Sequence, residues 1–164
     1  MSKSSWQNEV AKGFMHALQR HYGKSAYTPS SSVTHIVDNS NSGFSASSSW
    51  GSATWSSDKY GSSYRYRYTD AVSDPASWKV NISQAGNYKV YAWWTAASDR
   101  TGSAPYIIEH SSGSSVVYKS QKSKGGQWNL LGTYWLYAGN NNVLLSCWAE
   151  KGDKVVADAI KWQK

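Results

Sequence analysis

The octet Gly125-Gly126-Gln127-Trp128-Asn129-Leu130-Leu131-Gly132 joins an opening pair of glycines to an indole and two amides. Glycine lets the backbone turn sharply, the indole offers a flat apolar face with one donor, and Gln and Asn offer paired donors and acceptors. A sugar ring has the matching parts, an apolar C–H face bordered by hydroxyls. A second set of the same character lies upstream. In Tyr88-Lys89-Val90-Tyr91-Ala92-Trp93-Trp94, strand alternation places Tyr88, Val90, Ala92 and Trp94 on one face and Lys89, Tyr91 and Trp93 on the other. Lys89 marks its face as the solvent side, so Tyr91 and Trp93 become outward aromatics, for stacking on a ligand or packing under a crossing segment. The candidate binding set is therefore Tyr91 and Trp93 as platforms, Trp128 as the loop aromatic, and Gln127, Asn129 and Arg100 as hydrogen-bonding groups.

Catalytic chemistry finds little support in the same chain. His16, His21, His35, His110 and Cys147 fall in no metal-ligand spacing, and there is no H-E-x-x-H pair. His16 and His21 would stand about 140° apart around a helix, too far to share one ion. Most carboxylates lie in Ser- and Gly-rich turns, where Asp commonly shapes the backbone. Asp158 differs. It is flanked by Val155, Val156, Ala157, Ala159 and Ile160, so it is expected to be buried and to need a partner, either Arg100 or a loop backbone. Asp38 with Asn39 could contribute to a structural calcium site, though two residues are a poor ligand set. The expectation is a non-enzymatic chain with no cofactor.

The elements that must position these residues are short strands. From about residue 34 onward, segments rich in Val, Ile, Tyr and Trp alternate with Gly, Asn, Asp and Ser clusters, which is the pattern of an all-β antiparallel sandwich of the jelly-roll kind. Nine segments qualify, over 34–37, 63–68, 76–80, 86–94, 105–109, 115–120, 128–137, 141–148 and 155–162. Residues 39–62 carry Trp50, Trp55 and Tyr60 within a Ser/Gly tract and are expected to form an ordered surface loop. Cys147, the single cysteine, is expected to be a small buried residue within a strand. Residues 1–24 differ in kind. Val10, Phe14, Leu18 and Tyr22 recur every four positions, predicting one N-terminal amphipathic helix ended by Gly23, followed by a Ser/Thr/Pro linker over 25–33 and the sandwich over 34–164.

With 10 Trp and 12 Tyr against 2 Phe, the aromatic content is almost wholly of the type with a polar handle, suited to wet recognition surfaces as well as cores. A formal charge of +7 favours anionic partners. The bases are scattered and no recognition-helix or RNP-like motif accompanies them, so no specific nucleic-acid partner is expected. No apolar run reaches membrane-span length, and the first residues lack the apolar core of a signal peptide.

Ile36-Val37-Asp38-Asn39, Gly43-Phe44, Trp50, Tyr60-Gly61-Ser62-Ser63-Tyr64-Arg65-Tyr66 and Trp78 stand in an order shared with one known family. So do Gly86 to Trp94, Arg100, Ala104-Pro105-Tyr106, the octet at 125–132 and Val155-Val156-Ala157-Asp158-Ala159-Ile160. On these residues the chain resembles the golvesin-type domain, a carbohydrate-binding-like β-sandwich appended to bacterial secreted and wall-active proteins, including polysaccharide lyases. The segment Trp6 to Gly23 is similar to the last helix of N-acetylmuramoyl-L-alanine amidases. The resemblance implies a non-catalytic module that binds bacterial cell-wall or surface polysaccharide for an attached peptidoglycan hydrolase, located outside the cell or on the wall as part of a longer product. A structural or oligomerisation domain, able to form a homo-oligomer, and a standalone lectin are the alternatives.

Overall fold

The computed structural model describes residues 32–164, so the helix expected at 1–24 and nearly all of the linker lie outside the described residues. Twelve strands make up the rest: β1 (Thr34–Asp38), β2 (Phe44–Ser45), β3 (Gly51–Ala53), β4 (Tyr64–Tyr68), β5 (Ala76–Ile82), β6 (Gly86–Trp93), β7 (Ala104–His110), β8 (Gly113–Lys119), β9 (Asn129–Leu136), β10 (Gly139–Leu145), β11 (Lys154–Ala157) and β12 (Ala159–Gln163). They form a four-stranded sheet in the order β1-β12-β6-β9, a five-stranded sheet β2-β5-β10-β7-β8 and a three-stranded sheet β11-β4-β3. All strand pairings are antiparallel.

Alternation along the strands builds the core. On β5, Ala76, Trp78, Val80 and Ile82 are buried while Lys79 and Asn81 are exposed. On β6, Tyr88, Val90 and Ala92 point inward, with Trp94 just past its end also buried, and Lys89, Tyr91 and Trp93 point outward, as the period of two demands. Inward residues of the two larger sheets join those of the third in one hydrophobic cluster. Trp50, Trp78, Trp94 and Trp162 are its bulkiest members, so much of the indole content serves packing rather than recognition. Three of these indoles also hold loops in place. Their N–H groups donate to the carbonyls of Asp74 (Trp50, 3.0 Å), Asp158 (Trp78, 3.2 Å) and Ser123 (Trp94, 2.9 Å). Each bond satisfies a polar atom that burial would otherwise leave without water.

Three details depart from the strands expected on sequence. The tract at 39–62 is ordered but contains β2 and β3, which are too short for alternation to be visible. The run at 155–162 is two strands, because the chain crosses at Asp158 from β11, paired with β4, to β12, paired with β1 and β6. Cys147 is buried with a free thiol, as expected of a small apolar residue, but it lies two positions past the end of β10 rather than within a strand.

Candidate functional site

At one end of the sandwich, the connections β3–β4 (residues 54–63), β6–β7 (94–103) and β8–β9 (120–128) converge. Tyr60, Trp93 and Trp128, one from each of the first and last connections and one from the end of β6, meet there. Their ring centroids lie 5.4 Å (Tyr60–Trp93), 5.2 Å (Tyr60–Trp128) and 5.3 Å (Trp93–Trp128) apart at interplanar angles of 69°, 55° and 73°. These are edge-to-face and tilted contacts, in which the electropositive edge of one ring meets the π face of another. All three rings are half-buried, so the cluster has one side in solvent.

The backbone is tied down around it. The Trp93 indole N–H donates to the Asp58 carbonyl (2.8 Å), and the Ala96 N–H donates to Asp58 Oδ2 (3.0 Å). The Ser56 hydroxyl donates to the other oxygen of the same carboxylate. On the far side the Gly126 N–H donates to the Trp94 carbonyl (3.1 Å). Gly125 must be glycine, since a Cβ there would overlap Asp58 Oδ2 and the backbone of Ala96. Lys124 and Gly126 adopt left-handed φ values of 57° and 67°, which turns the chain into Trp128. The Asn129 amide closes this turn by donating to the carbonyls of Lys124 (2.9 Å) and Gln127 (3.0 Å).

Beside the cluster, on the outer face of the four-stranded sheet, one register row reads Ile36–Lys161–Tyr91–Leu130 across β1, β12, β6 and β9. The Lys161 ammonium lies 4.2 Å from the Tyr91 ring centroid and 4.9 Å from that of Trp128. Burial against these rings pushes the Lys161 pKa below its ordinary value.

The structure thus brings five of the six sequence-predicted residues into one patch: Tyr91, Trp93 and Trp128, with Gln127 and Asn129 on the turn. Gln127 is exposed, whereas the Asn129 nitrogen is committed to the turn. Arg100 is placed apart and buried. Its side chain is 1% exposed, donates to Asp99 Oδ1 (2.6 Å) and lies under Trp55, 5.8 Å from that ring, and beside Tyr64. An arginine between two aromatic rings and a carboxylate is well accommodated in a loop base, which is why a charged residue sits inside here. Tyr60, Asp58 and Lys161 complete the patch but were not among the expected residues. Trp55, 72% exposed, also stands at this end and was not singled out.

Asp158 is 1% exposed. Its partner is a loop backbone: Oδ2 accepts from the Tyr60 N–H (3.0 Å), while Oδ1 has no partner. Burial pushes its pKa up to about 8, the Tyr60 hydrogen bond opposes the shift, and the Asp38 and Asp58 charges add to it. Asp38 itself is closed on its own turn. Its carboxylate accepts from Ser40 (2.5 Å) and from the Asn39 amide (2.9 Å), and its N–H donates to Asn41 (2.8 Å). Among the described residues no three His, Cys, Asp or Glu side chains converge as metal ligands.

The Golvesin C-terminal domain family matches residues 35–164. The chain belongs to that family. This golvesin-type domain is 30% identical over 132 residues to a xanthan lyase of Bacillus sp. (strain GL1), covering 77% of this chain and 14% of the lyase. Its fold superposes on the structure of a Paenibacillus xanthan lyase with a TM-score of 0.75 at 32% identity, covering 80% of this chain and 13% of that one. A family 35 carbohydrate binding module from Clostridium thermocellum shares the fold alone, with a TM-score of 0.60 at 14% identity, over 79% of this chain and 98% of the module. The chain spans about one seventh of the lyases it matches, at 14% and 13% of their lengths.

Proposed function

We propose that this jelly-roll-like sandwich is a non-catalytic glycan-binding module, and that the sugar lies on the patch of Tyr91, Trp93 and Trp128 with Gln127 beside it. The observation that carries the reading is the ring cluster itself. Three aromatic side chains are packed on one another, with the Trp93 indole hydrogen-bonded to a loop carbonyl and one side of the cluster left in solvent, where a core would have closed over them. Membership of a family with relatives that are polysaccharide lyases by name, and a fold shared with a carbohydrate binding module, support the same reading. The partner we favour is bacterial cell-wall or surface polysaccharide, outside the cell. The attached enzyme we favour is a peptidoglycan amidase, on the strength of residues 6–23 and the +7 charge.

The test is affinity electrophoresis and wall sedimentation with a panel of purified bacterial polysaccharides and walls. Trp128→Ala is expected to weaken binding about tenfold or more, as removal of a central aromatic anchor does. Failure of the intact protein to bind any member of the panel, or equal binding by a folded Trp128→Ala protein, would overturn the proposal. A structural or oligomerisation role is favoured by a different observation. On the edge strand β8, Val116 and Tyr118 are 50% and 64% exposed on the outer face of the five-stranded sheet. Analytical ultracentrifugation of Tyr118→Ser against wild type separates that role from binding.

A further inference from the structure

We infer that the patch is built for an acidic glycan, with Lys161 as the group that receives a singly charged oxyanion on the sugar. The inference rests on the glycan-binding reading and gives it a substrate class. Lys161 differs from the other described lysines in standing over two aromatic rings with no oxygen acceptor; Lys79, Lys89, Lys119 and Lys124 also lack an acceptor, but none of them stands over a ring. Lys154 reaches Asp99 (2.8 Å), Lys122 reaches Asp153 (3.5 Å), Lys151 reaches Asp70 (3.6 Å), and Lys59 and Lys164 donate to carbonyls (2.9 Å each). Among the described residues Lys161 has no such acceptor. Its ammonium is half-buried between Tyr91 and Trp128, with Ile36 and Leu130 at the two ends of its row.

Three acids of the neighbouring loops and strands are engaged elsewhere. Asp58 accepts from Ser56 and Ala96, Asp38 is closed on Ser40 and Asn39, and Asp158 faces inward to Tyr60. Two ring faces attract the cation, but an ammonium has three N–H donors and the rings offer no lone pair. An uncompensated charge held in a partly desolvated place is complementary to an anion delivered by the ligand. The geometry also separates the two kinds of contact. The apolar face of a sugar meets the exposed side of Trp128 or Tyr91, and a carboxylate or phosphodiester at the edge of that sugar reaches the ammonium between them. A single ammonium, without the fork of an arginine, suits one negative charge.

The experiment compares wild type, Lys161→Met and Lys161→Arg by affinity electrophoresis. The probes are polygalacturonate, alginate and hyaluronan, each beside its carboxyl-reduced form, and poly(glycerol phosphate). Lys89→Met, which removes the same charge from the same sheet face, controls for non-specific attraction. Wild type is expected to prefer at least one acidic polymer over its neutral form by about tenfold or more, the range of a charge-assisted hydrogen bond. Lys161→Met should lose that preference with its melting temperature retained, Lys161→Arg should keep part of it, and Lys89→Met should change it by less than about twofold. Response to the uronates or to poly(glycerol phosphate) tells which oxyanion is taken. Equal binding of native and reduced polymers, or an undiminished preference in Lys161→Met, overturns the inference. If binding is confined to neutral glycans and is lost in Trp128→Ala, the glycan reading stands and only the charge reading falls. Binding of no polymer, acidic or neutral, sinks both.

Discussion

Asp158 gives the structure a measurable pH signature. The folded carboxyl, 1% exposed, keeps its proton up to about pH 8, whereas an unfolded Asp releases it near 4. Between those limits the folded state holds one more proton than the unfolded state. Stability therefore falls as pH rises through the window, by up to about 1.4 kcal/mol per pH unit, and levels off above pH 8. From pH 5 to pH 7 the single group removes about 2.7 kcal/mol, on the order of 10 °C in melting temperature for a domain of this size. Other groups titrate as well, so the quantity to measure is a difference. Asp158→Asn keeps an oxygen for the Tyr60 N–H and cannot ionise.

Melting temperatures of wild type and Asp158→Asn, followed by circular dichroism from pH 4.5 to 9, should diverge steadily, with the mutant gaining on wild type as pH rises. Asp158→Ala, which also removes the acceptor of the Tyr60 N–H, should be less stable than Asp158→Asn at every pH. A constant offset between wild type and Asp158→Asn across the range would mean that Asp158 is ionised in the folded protein, and would refute the reasoning.

Two further outcomes follow from the same end of the molecule. Arg100→Met keeps most of the buried stem and leaves Asp99 with Lys154, so it should lower stability by about 1–2 kcal/mol and leave glycan affinity within about twofold. Thermal denaturation with electrophoresis checks both, and a tenfold affinity loss at unchanged melting temperature would instead put the guanidinium in contact with ligand. Gly125→Ala forces a methyl group against Asp58 and Ala96, costing about 1–3 kcal/mol and displacing the Trp93 acceptor, so both stability and affinity should fall. A wild-type melting curve for that variant would show that the turn relaxes freely.

What sequence made legible was whatever repeats with the pleat. Tyr88 to Trp94 could be sorted into inward and outward residues because one strand pairs along its length on both sides, and Lys89 fixed which face was wet. Trp128 was visible because its glycines announce a turn. Lys161 was not. In Ala159-Ile160-Lys161-Trp162 it is an ordinary outward lysine, and its environment comes from Tyr91 one strand away and from Trp128 on a loop. Tyr60 lies in a tract without periodicity, and tertiary contacts, its N–H bond to Asp158 among them, bring it over Trp93. Arg100, expected to bond a ligand or Asp158, is instead buried and donates to Asp99. Its burial depends on Trp55 and Tyr64, which the fold alone brings to it.

These placements explain why a loop of ordinary composition can hold a binding surface. Residues 55–60 are fixed at three points: Trp55 on Tyr64, Asp58 on Ala96 and Trp93, and Tyr60 on Asp158. Tyr64 and Asp158 are themselves buried, the latter where the chain changes sheets, so the loop takes its position from the core rather than from a ligand. Ordering a mobile aromatic on binding costs about 0.5–1.5 kcal/mol for each immobilised side chain. With Tyr60, Trp93 and Trp128 already packed on one another, that cost is met in folding, and a weak stacking contact with a sugar can appear as affinity. The same logic makes the proton on Asp158 relevant to recognition. It lets the carboxyl remain buried beneath the loop without an ion partner, so the element that fixes Tyr60 is the one whose stability depends on pH.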